Sequence, residues 1–229
     1  MNALLLAAGY GTRLRPLTNL IPKCLVPIKN RPLLDIWIES LVSLGINSMR
    51  INTHYLSDIV EEHINKSIYT NQIDLVYEND LLGTGGTLIN NIDFFGGEDG
   101  LMIHADNYCL DDLSLLITAH NNRPNGCLIT ILVFETENPS SCGIVEINSL
   151  GIVTGFFEKI NNPPGNLANG AIYLLSKEAI DIIKKGYSDK SDFVTEILVQ
   201  FVGKIFTYKT DKIFIDIGTP EAYNKANSI

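Results

Sequence analysis

The chain is short of basic residues, of paired cysteines and of long apolar runs, and each shortage removes a class of function. Its 17 Lys and Arg stand against 26 Asp and Glu, a formal net charge of −9 over 229 residues. That balance argues against a sequence-independent grip on nucleic acid and against a polybasic membrane surface, so neither partner is expected. Cys24, Cys109, Cys127 and Cys142 are scattered, with no CxxC pair and no His at ligand spacing. Neither a zinc site nor a disulfide framework is signalled, and free buried thiols are expected. No run approaches the roughly 18 apolar residues of a membrane span. The first residues lack the basic flank and the length of a signal peptide, so a cytoplasmic protein is expected. No GK[ST] phosphate loop and no GxSxG elbow occurs. His54, His63, His104 and His120 have no nucleophile or metal partner at readable spacing, which leaves hydrolase chemistry without support.

What is present is a core. Hydrophobic residues make up 45% and charged residues 19% of the chain, enough for one large domain, or one domain with a lobe, at roughly 150 residues per domain. The charge is uneven. Residues 1–31 carry Arg13, Arg15, Lys23, Lys29 and Arg31, and every acid lies beyond them. A strongly acidic chain thus has one local positive segment, either a solvated basic loop or the receiver of a small polyanion.

Apolar runs alternate with helical stripes. Ala3 to Ala7 reads as a short buried strand, followed by a Gly/Pro-punctuated loop from Ala8 to about Pro32. Leu33, Leu34, Trp37, Ile38, Leu41 and Val42 recur at spacings of three and four, which predicts an amphipathic helix stopped at Gly45. Strands are expected at Met49 to Asn52, Ile73 to Tyr77 and Leu101 to His104, with a helix from Ser57 to about Asn65. This order implies a parallel sheet. Asp111 or Asp112 opens a helix through Leu115 and Leu116, and Cys127 to Phe134 is a β-prone run. Gly143 to Ile147 and Ile152 to Phe157 form a hairpin with alternating faces, the mark of a smaller mixed lobe. A strand at Asn169 to Leu175, helices near Lys177 to Lys185 and Phe193 to Val202, a strand at Ile213 to Ile215 and a helix entered by Pro220 complete the pattern.

In open α/β sheets ligands bind beyond the carboxyl ends of the strands, which directs attention to Leu6-Ala7-Ala8-Gly9-Tyr10-Gly11-Thr12-Arg13-Leu14. Gly9 and Gly11 let a phosphate approach the backbone, and Arg13 offers a planar charge that can take phosphate oxygens in pairs. Leu14 stands where a dinucleotide fold would have its third glycine. Further along, Pro22 and Lys23 bring a second cation on a segment braced by prolines. Asp106 and Asp216 each follow a buried strand, where they are either turn caps or ligands for a hard cation such as Mg²⁺.

Taken together, LAAGYGTRLRPLT and PKCLVP resemble the signature of the sugar-1-phosphate nucleotidyltransferases, the NDP-sugar pyrophosphorylases. The likeness continues through Arg31-Pro32-Leu33-Leu34, Asn52-Thr53-His54-Tyr55-Leu56 and Leu81-Leu82-Gly83-Thr84-Gly85-Gly86, and covers essentially the whole chain. It implies a Rossmann-like, mostly parallel sheet flanked by helices, the nucleotide-diphospho-sugar transferase fold, with a smaller mixed β lobe for the sugar. The expected organisation is a single domain over 1–229. Its nucleotide part runs to about 135 and its sugar lobe over about 136–215, with no C-terminal β-helix. By residue-wise carry-over Leu6, Ala8, Gly9, Gly11, Thr12, Arg13, Lys23 and Gly83 hold the nucleotide, with Arg13 and Lys23 catalytic. Glu78 is either an acceptor at the base edge or a surface charge.

Ala105-Asp106-Asn107 resembles the family's Gly-Asp-Asn and Asp216-Ile217-Gly218-Thr219-Pro220 its Asp-Ile-Gly-Thr-Pro, which implies Mg²⁺ on Asp106 and Asp216. Cys142-Gly143-Ile144-Val145, Phe157-Glu158-Lys159 and Asn169-Gly170-Ala171-Ile172-Tyr173 resemble the sugar-binding stretches. They imply Asn107, Gly143, Glu158, Lys159 and Asn169 around the sugar phosphate. The departures are Ala105, Ile160, Cys24 and the order Gly170-Ala171, none of which removes a charged group. The implied partners are a nucleoside triphosphate and a sugar 1-phosphate, and a second copy of the chain is a candidate partner. The NTHYL run, the LLGTGGT loop and Asp192-Phe193-Val194-Thr195-Glu196 look most like the mannose- or heptose-1-phosphate guanylyltransferase branch, which favours GTP. Uridylyl, thymidylyl or cytidylyl transfer to another sugar 1-phosphate or to phosphocholine, and a non-catalytic nucleotide-sugar sensor, are the alternatives.

Overall fold

The structure is a computed structural model that describes residues 1–188 and 192–229. The chain opens with β1 (Asn2–Leu6), and a two-strand hairpin, β2 (Pro27–Ile28) and β3 (Arg31–Pro32), leads into α1 (Leu33–Ser43). Then come β4 (Met49–Thr53), α2 (Ser57–Asn65), β5 (Ile73–Tyr77), α3 (Gly83–Asn90) and β6 (Gly100–His104). They are followed by β7 (Asn107–Cys109), α4 (Leu113–Asn121) and β8 (Ile129–Glu135). The hairpin of β9 (Gly143–Ile147) and β10 (Val153–Glu158) precedes β11 (Leu167–Leu175) and α5 (Lys177–Gly186). Lastly β12 (Ile205–Lys209), β13 (Phe214–Asp216) and α6 (Pro220–Ser228) complete the fold.

The principal sheet runs β12-β8-β11-β6-β1-β4-β5, and within it only β11 is antiparallel to its neighbours. A sheet flanked on both faces needs strands that are apolar on both sides, and β1 supplies one, with Ala3, Leu4 and Leu5 fully buried. Ala3 and Leu5 face a cluster built with Leu33, Trp37, Ile38 and Leu41 of α1, Val60 and Ile64 of α2 and Leu116 of α4. Leu4 faces the other side, toward Leu88 of α3, Ile180 and Ile183 of α5 and Phe193. The α1 stripe is the one the sequence spacing predicts, and the Trp37 indole donates to the Asn107 carbonyl at 2.8 Å, which ties this helix to β7. Side chains cap the later helices as their sequences suggest: Asp112 caps α4, Ser176 caps α5 and Thr219 caps α6 ahead of Pro220. Among the described residues no helix is long and apolar enough to cross a membrane.

β11 joins the two halves of the molecule. Its first residues pair with β8 and touch β9 at Ala168 opposite Ile144, and its last four, Ile172–Leu175, pair with β6. The register slips between Asn169 and Tyr173, where Ala171 takes a left-handed φ of 52°. This bulge turns the strand at the point where its side chains meet the functional cleft. The β9–β10 hairpin, expected to mark a smaller mixed lobe within the single domain, is joined to the same sheet through β11.

Three local expectations are corrected. The LLGTGG stretch read as a loop enters α3, whose Gly85 and Gly86 are buried, so packing overrides the low helix propensity of glycine. The helix expected from Phe193 to Val202 is a π turn at Phe193–Ile197 followed by a 3-10 turn at Leu198–Phe201. β7 and β12, absent from the sequence reading, pair with β13 and β8.

Candidate active site

The carboxyl ends of β1, β4, β5 and β6 open onto two adjoining cavities. The first, about 250 Å³, is lined by Leu6, Ala8, Gly9, Gly83 and Thr84, with Asn52 and Glu78 at its base. The second, about 180 Å³, is lined by Asn107, Gly143, Glu158, Lys159, Asn169 and Asp216, so it gathers every residue expected at the sugar phosphate. Asp106 and His104 line both. A larger cavity of about 740 Å³ lies at the opposite ends of the strands, beside Arg123 and Lys204, and holds none of the expected residues.

The turn after β1 has the shape its glycines anticipate. Gly11 sits at φ 61°, and a Cβ there would stand 2.9 Å from the Thr18 methyl, so close approach and handedness both require glycine. Thr18 is fully buried, and its hydroxyl donates to the Gly11 carbonyl at 2.7 Å. Thr12 and Arg13 follow in a single 3-10 turn, and the Arg13 guanidinium reaches outward with its side chain 68% exposed. It is thus free to meet an incoming anion.

Two strands bring the two aspartates together across 110 residues of chain. β13 pairs antiparallel with β7, setting Asp216 opposite Asn107, and the Ile217 amide donates to the Asp106 carbonyl at 2.9 Å. Between the carboxylates lies the Lys23 ammonium, hydrogen-bonded to Asp106 and 3.6 Å from Asp216, while Arg13 stands 4.0 Å from Asp216. Burial opposes charge on Asp106, but the Lys23 charge and hydrogen bond outweigh it and hold this carboxyl below its ordinary range. Burial and the neighbouring Asp106 charge push Asp216 the other way, upward. The donor set suits Mg²⁺: two hard carboxylates whose charge the single Lys23 ammonium offsets only in part. No group of three or more His, Cys, Asp or Glu that could hold a metal occurs among the described residues.

At the second cavity Glu158 ends β10 opposite Gly143 of β9. A Cβ on Gly143 would stand 2.5 Å from the Glu158 carboxylate, so that glycine keeps the acid in place. Lys159, at φ 48°, pairs with Glu158 at 3.2 Å. The Asn169 amide donates to the Tyr173 hydroxyl at 2.7 Å and its oxygen accepts from the Ala171 amide, so this side chain is fixed by the β11 bulge. The Asn107 side chain is committed to the His104 and Gly170 carbonyls, an orientation that braces the bulge from below.

Glu78 is buried, which settles its two readings against a surface charge. One oxygen accepts from Thr87 at 2.6 Å and Asn52 at 3.0 Å; the other takes only a long contact, 3.4 Å, from the Leu82 amide. His104 is the residue the sequence reading missed. Its ring ends β6 between the cavities, packs edge-on to Tyr173 at 6.1 Å, and its buried Nε2 has no hydrogen-bond partner. Burial lowers its pKa against the pull of the nearby Asp106 charge. Its position two residues before Asp106 was the available signal. The cysteines are free, as expected, and burial raises the Cys24 thiol to about 12.

Comparison with known proteins gives a consistent result. Residues 2–229 match the family described as Nucleotidyl transferase. A mannose-1-phosphate guanylyltransferase of Mycobacterium tuberculosis is 29% identical over 231 residues, with 100% of this chain and 64% of that protein aligned. The mannose-1-phosphate guanyltransferase of Saccharomyces cerevisiae is 28% identical over 229 residues, covering 97% of this chain and 63% of the relative. The chain therefore spans less than two thirds of the length of these curated relatives. Among solved structures, HddC from Yersinia pseudotuberculosis complexed with GMP-PN superimposes with a TM-score of 0.82 at 29% identity, covering 99% of this chain and 98% of that one.

Proposed function

The chain belongs to the nucleotidyl transferase family, and from that premise we propose that it moves a nucleotidyl group from a nucleoside triphosphate, GTP before the others, to a sugar 1-phosphate. The phosphate oxygen of the sugar attacks the α-phosphorus in line, one new P–O bond forms, and pyrophosphate leaves with the bond that breaks. The attacking oxygen is already anionic, so no general base is required. The difficulty is to bring two anions together and hold them aligned.

The observation that carries this reading is the single cation Lys23 set between Asp106 and Asp216, with Asp106 on the wall shared by the two cavities. One cavity is floored by a buried carboxylate and entered past the glycine turn, as a nucleoside with its phosphates needs. The other presents Glu158, Asn169 and Lys159, a set suited to hydroxyls and one phosphate. Arg13 and Lys23 bring positive charge to the negative charge that builds between the reactants. Asp106 and Asp216 would hold Mg²⁺, which supplies further charge compensation to the phosphates. The preference for GTP is supported by the names of the relatives and by Glu78, whose spare acceptor capacity suits the N1–H and 2-amino donors of guanine.

The test is pyrophosphate release with Mg²⁺ across GTP, UTP, CTP, dTTP and ATP, each with mannose, glucose, heptose and N-acetylglucosamine 1-phosphates and with phosphocholine. Turnover with GTP and one sugar phosphate supports the reading in full. Reaction with phosphocholine alone would overturn the assignment of the second cavity. Nucleotide binding with no release in any pairing would overturn catalysis altogether.

A further inference from the structure

The run Asn52-Thr53-His54-Tyr55 leaves the first cavity at Asn52 and makes contacts in two directions at once. The Asn52 oxygen accepts from the Ala7 amide at 2.7 Å, at the root of the glycine turn, while its amide group donates to the Glu78 carboxylate at 3.0 Å. His54 repeats the same bridge one pleat further out. Its Nε2 lies 3.0 Å from the Tyr10 hydroxyl, within the glycine turn, and its Nδ1 lies 2.8 Å from the Glu78 carbonyl. Tyr55 adds a third brace, donating to the Thr18 carbonyl at 3.0 Å.

A carbonyl only accepts, so Nδ1 of His54 carries the hydrogen, while Nε2 meets a hydroxyl that can donate or accept. The ring is held on its faces as well: Tyr10 meets it edge-on at 5.4 Å and Tyr77 lies nearly parallel at 6.3 Å. Tyr10 and Tyr77 are 45% and 56% exposed. Two large aromatic side chains left in water, each next in sequence to a residue of the first cavity (Gly9 and Glu78), with an imidazole fixed between them at both nitrogens, make an ordered element rather than loop decoration. The two ends it joins are the turn that faces the phosphates and the residue that faces the base.

We infer that His54 is a positioning residue for base recognition: it fixes Glu78 relative to the glycine turn, so that the base is read in register with the triphosphate. This deepens the nucleotidyl-transfer reading and rests on its assignment of the first cavity. His54 touches no reacting atom, and its effect is exerted through Glu78 and Tyr10. The sugar side of the reaction lies beyond its reach, since none of its contacts, Tyr10, Tyr77 and Glu78, lines the second cavity.

The two nitrogens can be separated by substitution. The amide nitrogen of Asn occupies the place of Nδ1, and that of Gln reaches the place of Nε2. His54→Asn thus keeps the bond to the Glu78 carbonyl and loses Tyr10; His54→Gln keeps Tyr10 and loses Glu78; His54→Ala loses both. On the full chain, kcat and KM for each nucleoside triphosphate and for the sugar 1-phosphate are to be measured, with thermal unfolding as the check that each variant folds. The expected result is a fall of about fivefold to tenfold in the preference for the best nucleotide over the next in His54→Gln and His54→Ala, the size of one lost hydrogen bond or a little more. His54→Asn retains that preference, and KM for the sugar phosphate stays within about twofold throughout.

A role in packing alone predicts the reverse order, with the larger Gln tolerated better than Asn. That order, or an unchanged preference in folded His54→Ala, overturns the proposal. Equilibrium binding of GTP and ATP to the wild type and the three variants reads the same ratio without turnover. If the wild type binds nucleotide but releases no pyrophosphate, the catalytic reading fails, while the binding ratios still decide the role of His54.

Discussion

Replacing Lys23 by Met keeps the length of the side chain and removes its charge, which tests the cation between the two aspartates directly. The Lys23 side chain is 11% exposed, and its ammonium serves both Asp106 and Asp216. Removing one partner of a buried ion pair costs about 3–5 kcal/mol. The carboxylates here keep 34% and 54% of their side-chain exposure, so water screens the charges left behind and a loss of about 1–3 kcal/mol is expected. In a chain of this size each kcal/mol moves Tm by about 2–4 °C, and the variant should therefore melt about 2–12 °C lower at neutral pH without metal. The pH dependence has a definite sign. Asp216 already titrates above its ordinary value of 3.8 because of burial and the Asp106 charge, and the variant loses the Lys23 charge that opposes this rise. A carboxyl raised in the folded state binds its proton there more tightly, so its destabilisation appears as pH rises through the raised value. The gap between variant and wild type is accordingly small in acid and full at pH 7. Thermal unfolding at several pH values, with and without Mg²⁺, measures it, and Mg²⁺ should restore the variant by more degrees than it gains the wild type. Equal melting at pH 7, or an identical Mg²⁺ shift in both proteins, would refute the account.

Arg13→Ala removes an exposed guanidinium whose contact to Asp216 is long, 4.0 Å, so turnover should fall by about 10²-fold or more while Tm changes little; near wild-type turnover rejects the role. Asp106→Asn should abolish Mg²⁺-dependent pyrophosphate release in a protein that still melts cooperatively, and retained metal-dependent turnover speaks against the ligand assignment. His120, 1% exposed, is held at about 4 by burial and the nearby Arg123. Unfolded chains take up that proton from 6.5 downward, so wild-type stability should fall by up to about 3 kcal/mol between pH 6.5 and 4. Denaturant midpoints of His120→Gln should show a flatter slope over that range. A Cβ on Gly170 would stand 2.6 Å from the Leu132 side chain and 3.0 Å from its carbonyl, so Gly170→Ala should lose about 1–3 kcal/mol by overpacking. KM for the sugar phosphate should rise well before KM for the nucleotide does, and equal rises would place the bulge elsewhere in the mechanism.

The alternation of buried strands and amphipathic stripes made most of the sheet legible. β1, β4, β5 and β6 and the helices α1, α2 and α5 stand within a residue or two of their expected bounds. What failed had a physical reason. α3 begins Gly-Thr-Gly-Gly, a composition that argues for a loop, and it is helical with Gly85 and Gly86 buried and Leu88 in the cluster that holds Leu4 and Phe193. β12 and β7 are short segments stabilised by partners far away in sequence, which periodicity within a window does not see. At the site, the glycine turn announced itself through residue types, but Asp106 and Asp216 were legible only through the family resemblance. Nothing in two isolated aspartates says that β13 will lie against β7. His104 and His54 escaped because their partners, Tyr173, Tyr10 and Glu78, are neither nucleophiles nor metal ligands.

A single strand that belongs to both halves has a consequence for how such a fold can be altered. Because β11 begins against β9 and ends against β6, the segment around the second cavity has no seam along which it could be cut out and replaced. Exchange of the whole region with that of another protein would break the sheet that carries the first cavity. A change in what the second cavity holds is better sought in the loops that β9, β10 and the bulge present to the cleft, which can vary while the strand stays continuous. Continuity also means that the halves melt together: limited proteolysis under native conditions should nick the exposed connections rather than release a folded fragment.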